Sequence, residues 1–581
     1  MHLSLKRYLA LLVMYLKPQW WRVLLMTVSL LAGTGLQLLS PQILRYFIDT
    51  ATNGGVSVLL IYAGVIFIGV TLLSQGTAIA TSYLSENVAW TATNQLRTDL
   101  VAHCLSLDMA FHKARTPGEL IERIDGDVDT LSNFFSQFVI NLLGSVIMLL
   151  GILILFFLID WRVGVVMTAF SITVSLILMY LNRRSVPLWK NNRQVIADLF
   201  GFLGEHLAGT EDMRANGATS FVMCGFYLLS RRWLPINRKA LLASNLMGAT
   251  TLLLFICGSG IALSLGAYLW STGAITVGTV YLMFAYTDRL SQPINQLQEQ
   301  LQDFQQATAC IQRIEELLHT PSALKDGSGT PLPAGAFSVD FHDVTFGYAP
   351  DELVLHHLTF HVQPGKVLGV LGRTGSGKTT LARLLFRLYD PQSGKISLGD
   401  VPIQTASLRD ARKRIGMVTQ DIQLFHASVR DNLTFFDRTI EDALILEVLD
   451  MVGLTSWYNG LPKGLDTELG ADGEGISAGE AQLLAFTRIF LTNPGLVILD
   501  EASSRLDPAT ESLIEQAVSK LFTNRTGIII AHRLSTIQRA DEIMVLEDGQ
   551  IVEYGARDVL ATDPTSRFYQ LLQTGLEEVR A

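Results

Sequence analysis

The sequence predicts a chain in two parts: an α-helical domain that crosses a membrane six times, followed by an α/β domain of the phosphate-loop type. Six apolar stretches occupy the first half, each near the roughly 20 helical residues that a bilayer requires. A glycine-rich loop, GRTGSGKTT, occupies residues 372–380 in the second half. With 49% hydrophobic and only 17% charged residues, the chain is also too apolar for an ordinary soluble protein.

Length and charge narrow the possible classes further. At 581 residues the chain exceeds a single core, so at least two domains are expected. A formal net charge of -9 offers no basic excess, which argues against nucleic acid as a partner. The cysteines show neither metal-site nor disulfide spacing: Cys104, Cys224, Cys257 and Cys310.

The membrane domain is predicted to occupy residues 1–320 and to begin with a helix at the cytoplasmic interface. Its apolar segment Tyr8–Leu16 is short, lacks a cleavage site and is interrupted at Lys17-Pro18, which argues against a signal peptide. Trp20 and Trp21 are expected to anchor the next helix at headgroup level. The six spans are centred on 22–44, 57–80, 136–158, 162–181, 248–270 and 276–296.

The distribution of basic residues orients these spans. The turns Thr50–Val56 and Trp270–Thr276 carry no Lys or Arg, whereas the long segments after the second and fourth spans are rich in both. By the positive-inside rule the long segments and both termini are cytoplasmic. Each long segment has a break, at 116–118 and at 209–217, where a transverse helix or an ordinary helix-turn-helix loop fits equally well.

Few polar side chains fall inside the spans. Asp288 and Arg289 in the sixth span are either functional or simply paired near a helix end. A further set of amides either lines a polar path or forms hydrogen bonds between helices: Gln37, Gln42, Gln75, Gln137 and Asn141. The sequence leaves both questions open.

A linker at 321–335 precedes the second domain, predicted at 336–581. The loop fits G-x-x-x-x-G-K-T, and it lies between the apolar run Val367–Leu371 and the helical run Leu381–Leu388. Its backbone N–H groups are expected to surround nucleotide phosphates, with Lys378 on the β- and γ-phosphates and Thr379 on Mg²⁺. The predicted ATP-binding residues of the loop are Gly372, Arg373, Thr374, Gly375, Ser376, Gly377, Lys378, Thr379 and Thr380.

A second carboxylate element completes the expected hydrolytic site. Leu496–Asp500 reads as a buried strand that ends in a carboxylate, and Glu501 follows at once. Asp500 is expected to hold Mg²⁺ through water, and Glu501 to orient or deprotonate the attacking water.

With these motifs in order, residues 336–581 resemble the nucleotide-binding domain of ATP-binding cassette (ABC) transporters. The whole chain resembles an ABC exporter half-transporter, such as a subunit of a bacterial heterodimeric multidrug or lipid exporter. The implied fold is an α-helical six-span transmembrane domain plus an α/β P-loop ATPase domain. The resemblance implies that Tyr348 stacks on adenine, Gln420 contacts Mg²⁺ and His532 contacts the γ-phosphate. It also implies that Asp507 lies in the loop between the two nucleotide domains of a dimer.

The resemblance has two departures. Residues 476–482, ISAGEAQ, occupy the place of the family signature LSGGQ, which grips the nucleotide of the opposite subunit. Ser477 and Gly479 are retained, but Ala478 adds a Cβ and Glu480 adds a negative charge toward a polyanion. The resemblance also implies that the two transverse helices are the couplers that dock on the nucleotide domains. Ala471 replaces the glutamate of a GERG-like loop, which puts communication between the nucleotide domain and these couplers in doubt.

The expected function is therefore an ATP-hydrolysing subunit of a membrane exporter, with ATP and Mg²⁺ as cofactors. An intact hydrolytic half-site beside an altered signature favours a heterodimer with a second half-transporter over a homodimer. The cargo, a drug, lipid or peptide, is not identified by the sequence. The alternatives are a regulatory or channel-like protein that binds ATP without turnover, an importer and a homodimeric lipid flippase. The compact layout suggests the inner (plasma) membrane of a bacterium.

Overall fold

The structure is a computed structural model that describes residues 13–54, 57–349, 351–419, 422–470, 475–500, 508–530 and 537–574. The chain divides into two compact units. The first unit contains the residues up to Leu105 together with Pro117–Thr320. The second contains the chain from Pro321 onward together with the short segment Ser106–Thr116. That segment follows a long apolar helix in sequence, yet it packs with residues of the second unit.

The first part of the chain is helical throughout its described ranges. Because the helices are apolar on most sides, large hydrophobic side chains such as Ile61, Leu72 and Ile79 remain exposed, as expected for surfaces that face lipid. The helices are α1 (Trp20–Thr52), α2 (Ser57–Ser106), α3 (Met109–Lys113), α4 (Pro117–Ile121), α5 (Asp127–Asn133), α6 (Val139–Ile159), α7 (Trp161–Ala208), α8 (Thr210–Ala215), α9 (Thr219–Ser271), α10 (Val277–Arg289) and α11 (Ser291–Leu318).

The described helices differ from the expectation of six continuous spans. Within those ranges, five helices are long and apolar enough to cross a membrane. The sixth predicted span, 276–296, is divided at Leu290 into α10 and α11. Pro293 explains the break, because it has no N–H to donate to the carbonyl of Arg289 four residues earlier. With 13 residues, α10 alone rises only about 20 Å. Most of the predicted interfacial segment, residues 8–12, lies outside the described residues.

Short helices occur close to both predicted breaks of the cytoplasmic segments. Helix α3 ends three residues before the break at 116–118, and Asp108 caps its N-terminus by accepting a hydrogen bond from the Phe111 N–H. Helix α8 lies within the predicted break at 209–217. Helix α8 is therefore a separate short helix between the much longer α7 and α9, whereas at the first break two short helices, α3 and α4, lie on either side of Thr116.

The second unit is built on two sheets. A four-stranded antiparallel sheet has the order β2-β1-β4-β5, and a six-stranded sheet has the order β10-β9-β3-β8-β7-β6. Strands β6, β7, β8, β3 and β9 are parallel, and β10 is antiparallel at the edge. The strands are β1 (Val339–Ala349), β2 (Glu352–Val362), β3 (Val367–Leu371), β4 (Ser393–Leu398), β5 (Val401–Pro402), β6 (Ile415–Val418), β7 (Leu496–Asp500), β8 (Thr526–Ile530), β9 (Glu542–Glu547) and β10 (Gln550–Ala556).

Helices surround these sheets and cover the parallel strands. Strands β3, β7 and β8 are buried at every residue, which is typical of parallel strands covered on both faces. The helices are α12 (Lys378–Leu385), α13 (Leu408–Arg414), α14 (Val429–Thr434), α15 (Asp442–Met451), α16 (Thr455–Asn459), α17 (Ala478–Thr492), α18 (Pro508–Leu521), α19 (Arg557–Leu560) and α20 (Arg567–Thr574). This arrangement brings the start of α12 and the end of β7 to the same edge of the parallel sheet.

Candidate nucleotide site

The phosphate loop connects β3 to α12, and its glycines are required by its backbone. Gly375 and Gly377 adopt φ values of +89° and +101°, which residues with a Cβ rarely adopt. A Cβ on Gly372 would lie 2.2 Å from the carbonyl oxygen of Leu546. A Cβ on Gly377 would lie 2.5 Å from Cδ2 of Leu355. The loop therefore holds a conformation in which successive N–H groups can face an anion.

Two buried polar groups of this loop fit a phosphate ligand. Lys378 is 6% exposed, and its Nζ donates to the carbonyl oxygens of Gly372 and Arg373 at 2.6 and 2.8 Å. Burial lowers the pKa of Lys378, and the charge of Asp500 partly opposes that shift. The Ser376 hydroxyl is buried and has no hydrogen-bond partner within the described part of the chain. An orphaned donor beside a buried ammonium suits an anion that would satisfy both.

Thr379 and Asp500 form the candidate metal position. The Thr379 hydroxyl donates to Oδ2 of Asp500 at 3.5 Å, and Asp500 is only 5% exposed. Burial raises the pKa of Asp500, although the Thr379 hydrogen bond and the charge of Lys378 oppose the shift. A buried carboxylate next to a hydroxyl oxygen is the hard-oxygen pair that Mg²⁺ prefers, so these residues fit the expected ion.

Tyr348 lies beside the helix that follows the phosphate loop. Its hydroxyl is 3.1 Å from Oγ1 of Thr380 and accepts a hydrogen bond from Nη1 of Arg383 at 2.9 Å. The residue remains 40% exposed. A half-exposed aromatic ring held by α12 is a suitable surface for stacking a nucleotide base.

The signature segment begins helix α17, and the side chain of Glu480 folds back onto that beginning. Ser477 is the N-cap, and its Oγ accepts from the Glu480 N–H at 3.2 Å. Oε2 of Glu480 in turn accepts from the Ser477 N–H and from the Ser477 hydroxyl, both at 2.8 Å. Ala478 is exposed and Gly479 is buried. The helix N-terminus that the sequence assigns to a partner's phosphate is thus engaged by a carboxylate of its own chain.

Several predicted site residues lie outside the described residues: Gln420, Glu501, Asp507, His532 and Ala471. Their assigned roles stay predictions. The structure brings together Lys378, Thr379, Thr380, Tyr348 and Asp500 at one edge of the parallel sheet.

In the membrane unit, Arg289 contacts a carbonyl that a proline has freed. Pro41 lies inside α1, and because it lacks an N–H it leaves the carbonyl of Gln37 without its usual intrahelical partner. Nη1 of Arg289 donates to that carbonyl oxygen. Nearby, Nε2 of Gln42 donates to the Tyr286 hydroxyl at 3.0 Å, which donates to the Leu38 carbonyl at 2.8 Å. Arg289 and Gln42 therefore make contacts between α1 and α10.

Two carboxylates that were not predicted from the sequence accept hydrogen bonds at helix N-termini. Asp108 caps α3 and also accepts from the Ala323 N–H at 2.6 Å. Asp49, near the end of α1, accepts from the Gly278 N–H at 2.8 Å and from the Thr276 hydroxyl at 2.7 Å. The Asp-x-x-Phe pattern at 108–111 is a possible helix start that could have been recognised. The Asp49 contact is long-range and had no local signal.

Comparison with known proteins identifies both units. Residues 23–294 match the family described as "ABC transporter transmembrane region", and residues 355–504 match "ABC transporter". A fatty acid ABC transporter ATP-binding/permease protein of Mycobacterium bovis is 32% identical over 79% of this chain and 73% of its own. A multidrug resistance ABC transporter ATP-binding and permease protein of Lactococcus lactis subsp. cremoris is 29% identical over 97% of this chain and 94% of its own.

A solved structure agrees with these matches over nearly the whole chain. A bacterial Atm1-family ABC exporter with ATP bound superposes with a TM-score of 0.77 at 26% identity, covering 96% of this chain and 97% of that one. The family and the fold class expected from the motifs are confirmed. The two relatives are named for different cargoes, so the similarity identifies the transporter family and not the substrate of this chain.

Proposed function

The chain belongs to the ABC transporter family, and from this premise we propose that it is the ATP-hydrolysing subunit of an exporter for an unidentified drug, lipid or peptide. The exporter works by alternating access in the inner membrane of a bacterium, with both termini cytoplasmic. The observation that carries the proposal is the phosphate loop. There the buried ammonium of Lys378 and the buried Ser376 hydroxyl, which has no hydrogen-bond partner among the described residues, can both donate to an anion.

The residues around the loop have distinct roles in this proposal. Lys378 leaves the carbonyls of Gly372 and Arg373 to bind the phosphates, and Tyr348 stacks on the base. Thr379, Asp500 and Gln420 would hold Mg²⁺, which would neutralise charge on the phosphates. Glu501 orients or deprotonates the attacking water, and His532 stabilises charge on the γ-phosphate. Arg373, Thr374, Gly375, Gly377 and Thr380 contribute the remaining backbone and hydroxyl groups of the loop.

A heterodimer is favoured over a homodimer by the contacts of Glu480. In a dimer the signature of one subunit faces the nucleotide bound to the other, and Asp507 lies in the loop between the two nucleotide domains. Glu480 engages the Ser477 hydroxyl and N–H that a γ-phosphate would otherwise use. This chain then hydrolyses its own nucleotide with the help of an intact signature on a second half-transporter.

The first experiment measures vanadate-sensitive ATPase activity of this chain purified alone in lipid, beside its Glu501→Gln form. Glutamate-dependent turnover by the single chain would support a homodimer, including a homodimeric lipid flippase, and would make ISAGE a competent signature. ATP binding without turnover, restored by a second half-transporter with LSGGQ, supports the heterodimer. Turnover that is undiminished in Glu501→Gln would remove the role assigned to that residue. ATP binding that never leads to turnover, with or without a partner, would favour the regulatory alternative.

A further inference from the structure

The short helix α3 is held rigidly within the second unit. Asp108 is 9% exposed, and its two carboxylate oxygens accept from the Phe111 N–H at 2.9 Å and from the Ala323 N–H at 2.6 Å. Burial favours the neutral acid, but the hydrogen bonds from Ala323, Phe111 and other backbone N–H groups outweigh it and lower the pKa of Asp108. One carboxylate thus ties the start of α3 to the linker that precedes the nucleotide domain, and it fixes where the end of α3 lies.

At its other end, α3 places a lysine over the ring that is predicted to stack on adenine. Nζ of Lys113 lies 4.3 Å from the centroid of the Tyr348 ring, which is a cation–π contact. Arg115, two residues after the end of α3, instead lies 4.3 Å from the centroid of the Phe111 ring. The two cations therefore contact different aromatic rings, and Lys113 contacts the ring that is predicted to stack on the base.

The Tyr348 ring belongs to an aromatic cluster that also connects to the phosphate loop. Phe346 and Tyr389 pack against it edge-on, each with ring centroids 5.2 Å from that of Tyr348. The Tyr348 hydroxyl contacts Thr380, the residue directly after Thr379 of the phosphate loop. The ring is thus fixed at its hydroxyl and at its edges, and Lys113 covers part of its face. Despite these contacts 40% of the residue stays exposed, which leaves surface for a base.

We propose that Lys113 is a positioning residue for ATP: it holds Tyr348 in the orientation that stacks on the base, and so links base occupancy to helix α3. The inference rests on the proposed function of Tyr348 as the base-stacking residue. A ring that is held on one side by an ammonium loses less conformational freedom when a base stacks on its free surface. By reciprocity, a bound base stabilises the contact between Tyr348 and Lys113, and therefore the position of α3.

The test measures nucleotide binding to the full-length protein in lipid nanodiscs by isothermal titration calorimetry, with ATP and with inorganic tripolyphosphate. Lys113→Ala should weaken ATP binding about threefold to tenfold, the range of an exposed to partly desolvated cation–π contact, and leave tripolyphosphate binding unchanged. Lys113→Arg should restore ATP binding, because a guanidinium also stacks on an aromatic face. The control is Lys366→Ala, which removes one positive charge from the same unit at an exposed lysine paired with Asp541, and it should change neither affinity.

Steady-state kinetics provide a second measurement, because a purely structural role of Lys113 would not change KM for ATP separately from kcat. Lys113→Ala should raise KM for ATP by the same factor and leave kcat within about twofold, since the residue contacts no reacting group. Equal loss of ATP and tripolyphosphate affinity would overturn the proposal in favour of general electrostatic attraction. Tighter ATP binding would also overturn it, because Lys113 would then compete with the base. These binding results do not depend on turnover, so they can fail while the proposed function stands, and the reverse.

Discussion

The chain contains two helix beginnings that the sequence assigns to the phosphates of ATP, and the structure prepares them in opposite ways. Helix α12 follows Gly377, which has no side chain to cap it, so the first N–H groups of the helix stay available to a ligand. Helix α17 follows Ser477 and is closed by a complete capping box with Glu480. Both helices have the positive end of a dipole there, but of the two N-termini, as far as the described residues show, α17 is capped by side chains of its own chain and α12 is not.

This contrast shows that a helix N-terminus can bind phosphate only where neighbouring side chains leave its first N–H groups without an acceptor. In the phosphate loop, the polar groups are buried, and the Ser376 hydroxyl is left without a partner among the described residues. At the signature, Glu480 gives the Ser477 hydroxyl and N–H an acceptor 2.8 Å away. A capping box typically stabilises a helix by about 1 kcal/mol. The signature helix thus gains local stability from groups that are predicted to bind the partner's nucleotide.

The largest expected effect on ATPase turnover comes from removing the ammonium of Lys378 at the uncapped N-terminus of α12. Lys378→Ala should reduce ATPase turnover at least about a hundredfold, because no other described side chain at the loop brings a buried positive charge to the phosphates. Turnover is measured as vanadate-sensitive phosphate release in lipid. The matched control is Lys366→Ala, which removes an exposed lysine paired with Asp541 at 3.0 Å in the same unit. Wild-type turnover in Lys378→Ala would show that the loop does not bind the hydrolysed phosphates.

A smaller loss of activity, with a different effect on stability, is expected at the carboxylate that faces the loop. Asp500→Asn should lower turnover by about tenfold to a hundredfold, since the amide is a poor ligand for Mg²⁺. The same change should leave the unfolding temperature unchanged or higher, because it removes a buried charge whose pKa is raised by burial. Activity and thermal unfolding are measured on the same preparation.

The control for Asp500→Asn is Asp343→Asn, at an exposed carboxylate whose backbone has a φ of +51° that asparagine tolerates well. It should change neither turnover nor unfolding temperature. A marked fall in the unfolding temperature of Asp500→Asn would contradict the view that its carboxylate destabilises the metal-free fold.

Sequence reasoning succeeded where backbone geometry dictates the residue. The glycines of the phosphate loop could be predicted because a Cβ at Gly372 or Gly377 would collide with neighbouring atoms at 2.2 and 2.5 Å. The buried strands β3 and β7 could be predicted because runs of apolar residues of that length are typical of a parallel sheet. Local pattern and local structure agree in these segments, so little tertiary information was needed.

At two other places the sequence contained a local signal that was not used, because a stronger pattern around it favoured another interpretation. Pro293 could have indicated the break at Leu290, but the apolar run around it favoured a single span. Ser477 and Glu480 have the spacing of a capping box, so the direction of the Glu480 side chain was open to prediction. The contact of Lys113 with Tyr348 had no such signal, because it joins residues far apart in the chain and depends on tertiary packing.

The smallest expected effect distinguishes the two helix N-termini most clearly, because it raises ATPase activity where the earlier substitutions lower it. Under the proposed heterodimer the chain alone has little turnover, because ISAGE must then serve this chain's own nucleotide. Glu480→Gln should raise that residual ATPase activity by about threefold to tenfold, since it removes a negative charge near the phosphates. The same change should lower the free energy of unfolding by about 0.3 to 1 kcal/mol, because the charge no longer interacts with the helix dipole. Phosphate release and urea-induced unfolding measure the two effects.

A gain of activity with a loss of stability cannot arise from simple damage to the fold, which would lower both. Glu447→Gln, at an exposed position of α15, removes one carboxylate from the same unit and should change neither quantity. Ala478→Gly reverts the other departure from LSGGQ and leaves the charge of Glu480 in place. Because Ala478 is exposed, the change should alter turnover less than about twofold. It should weaken the helix by up to about 1 kcal/mol, because glycine is a poorer helix former than alanine. If Ala478→Gly activates and Glu480→Gln does not, the signature is limited by the Cβ at Ala478, and the carboxylate of Glu480 acts only as a cap.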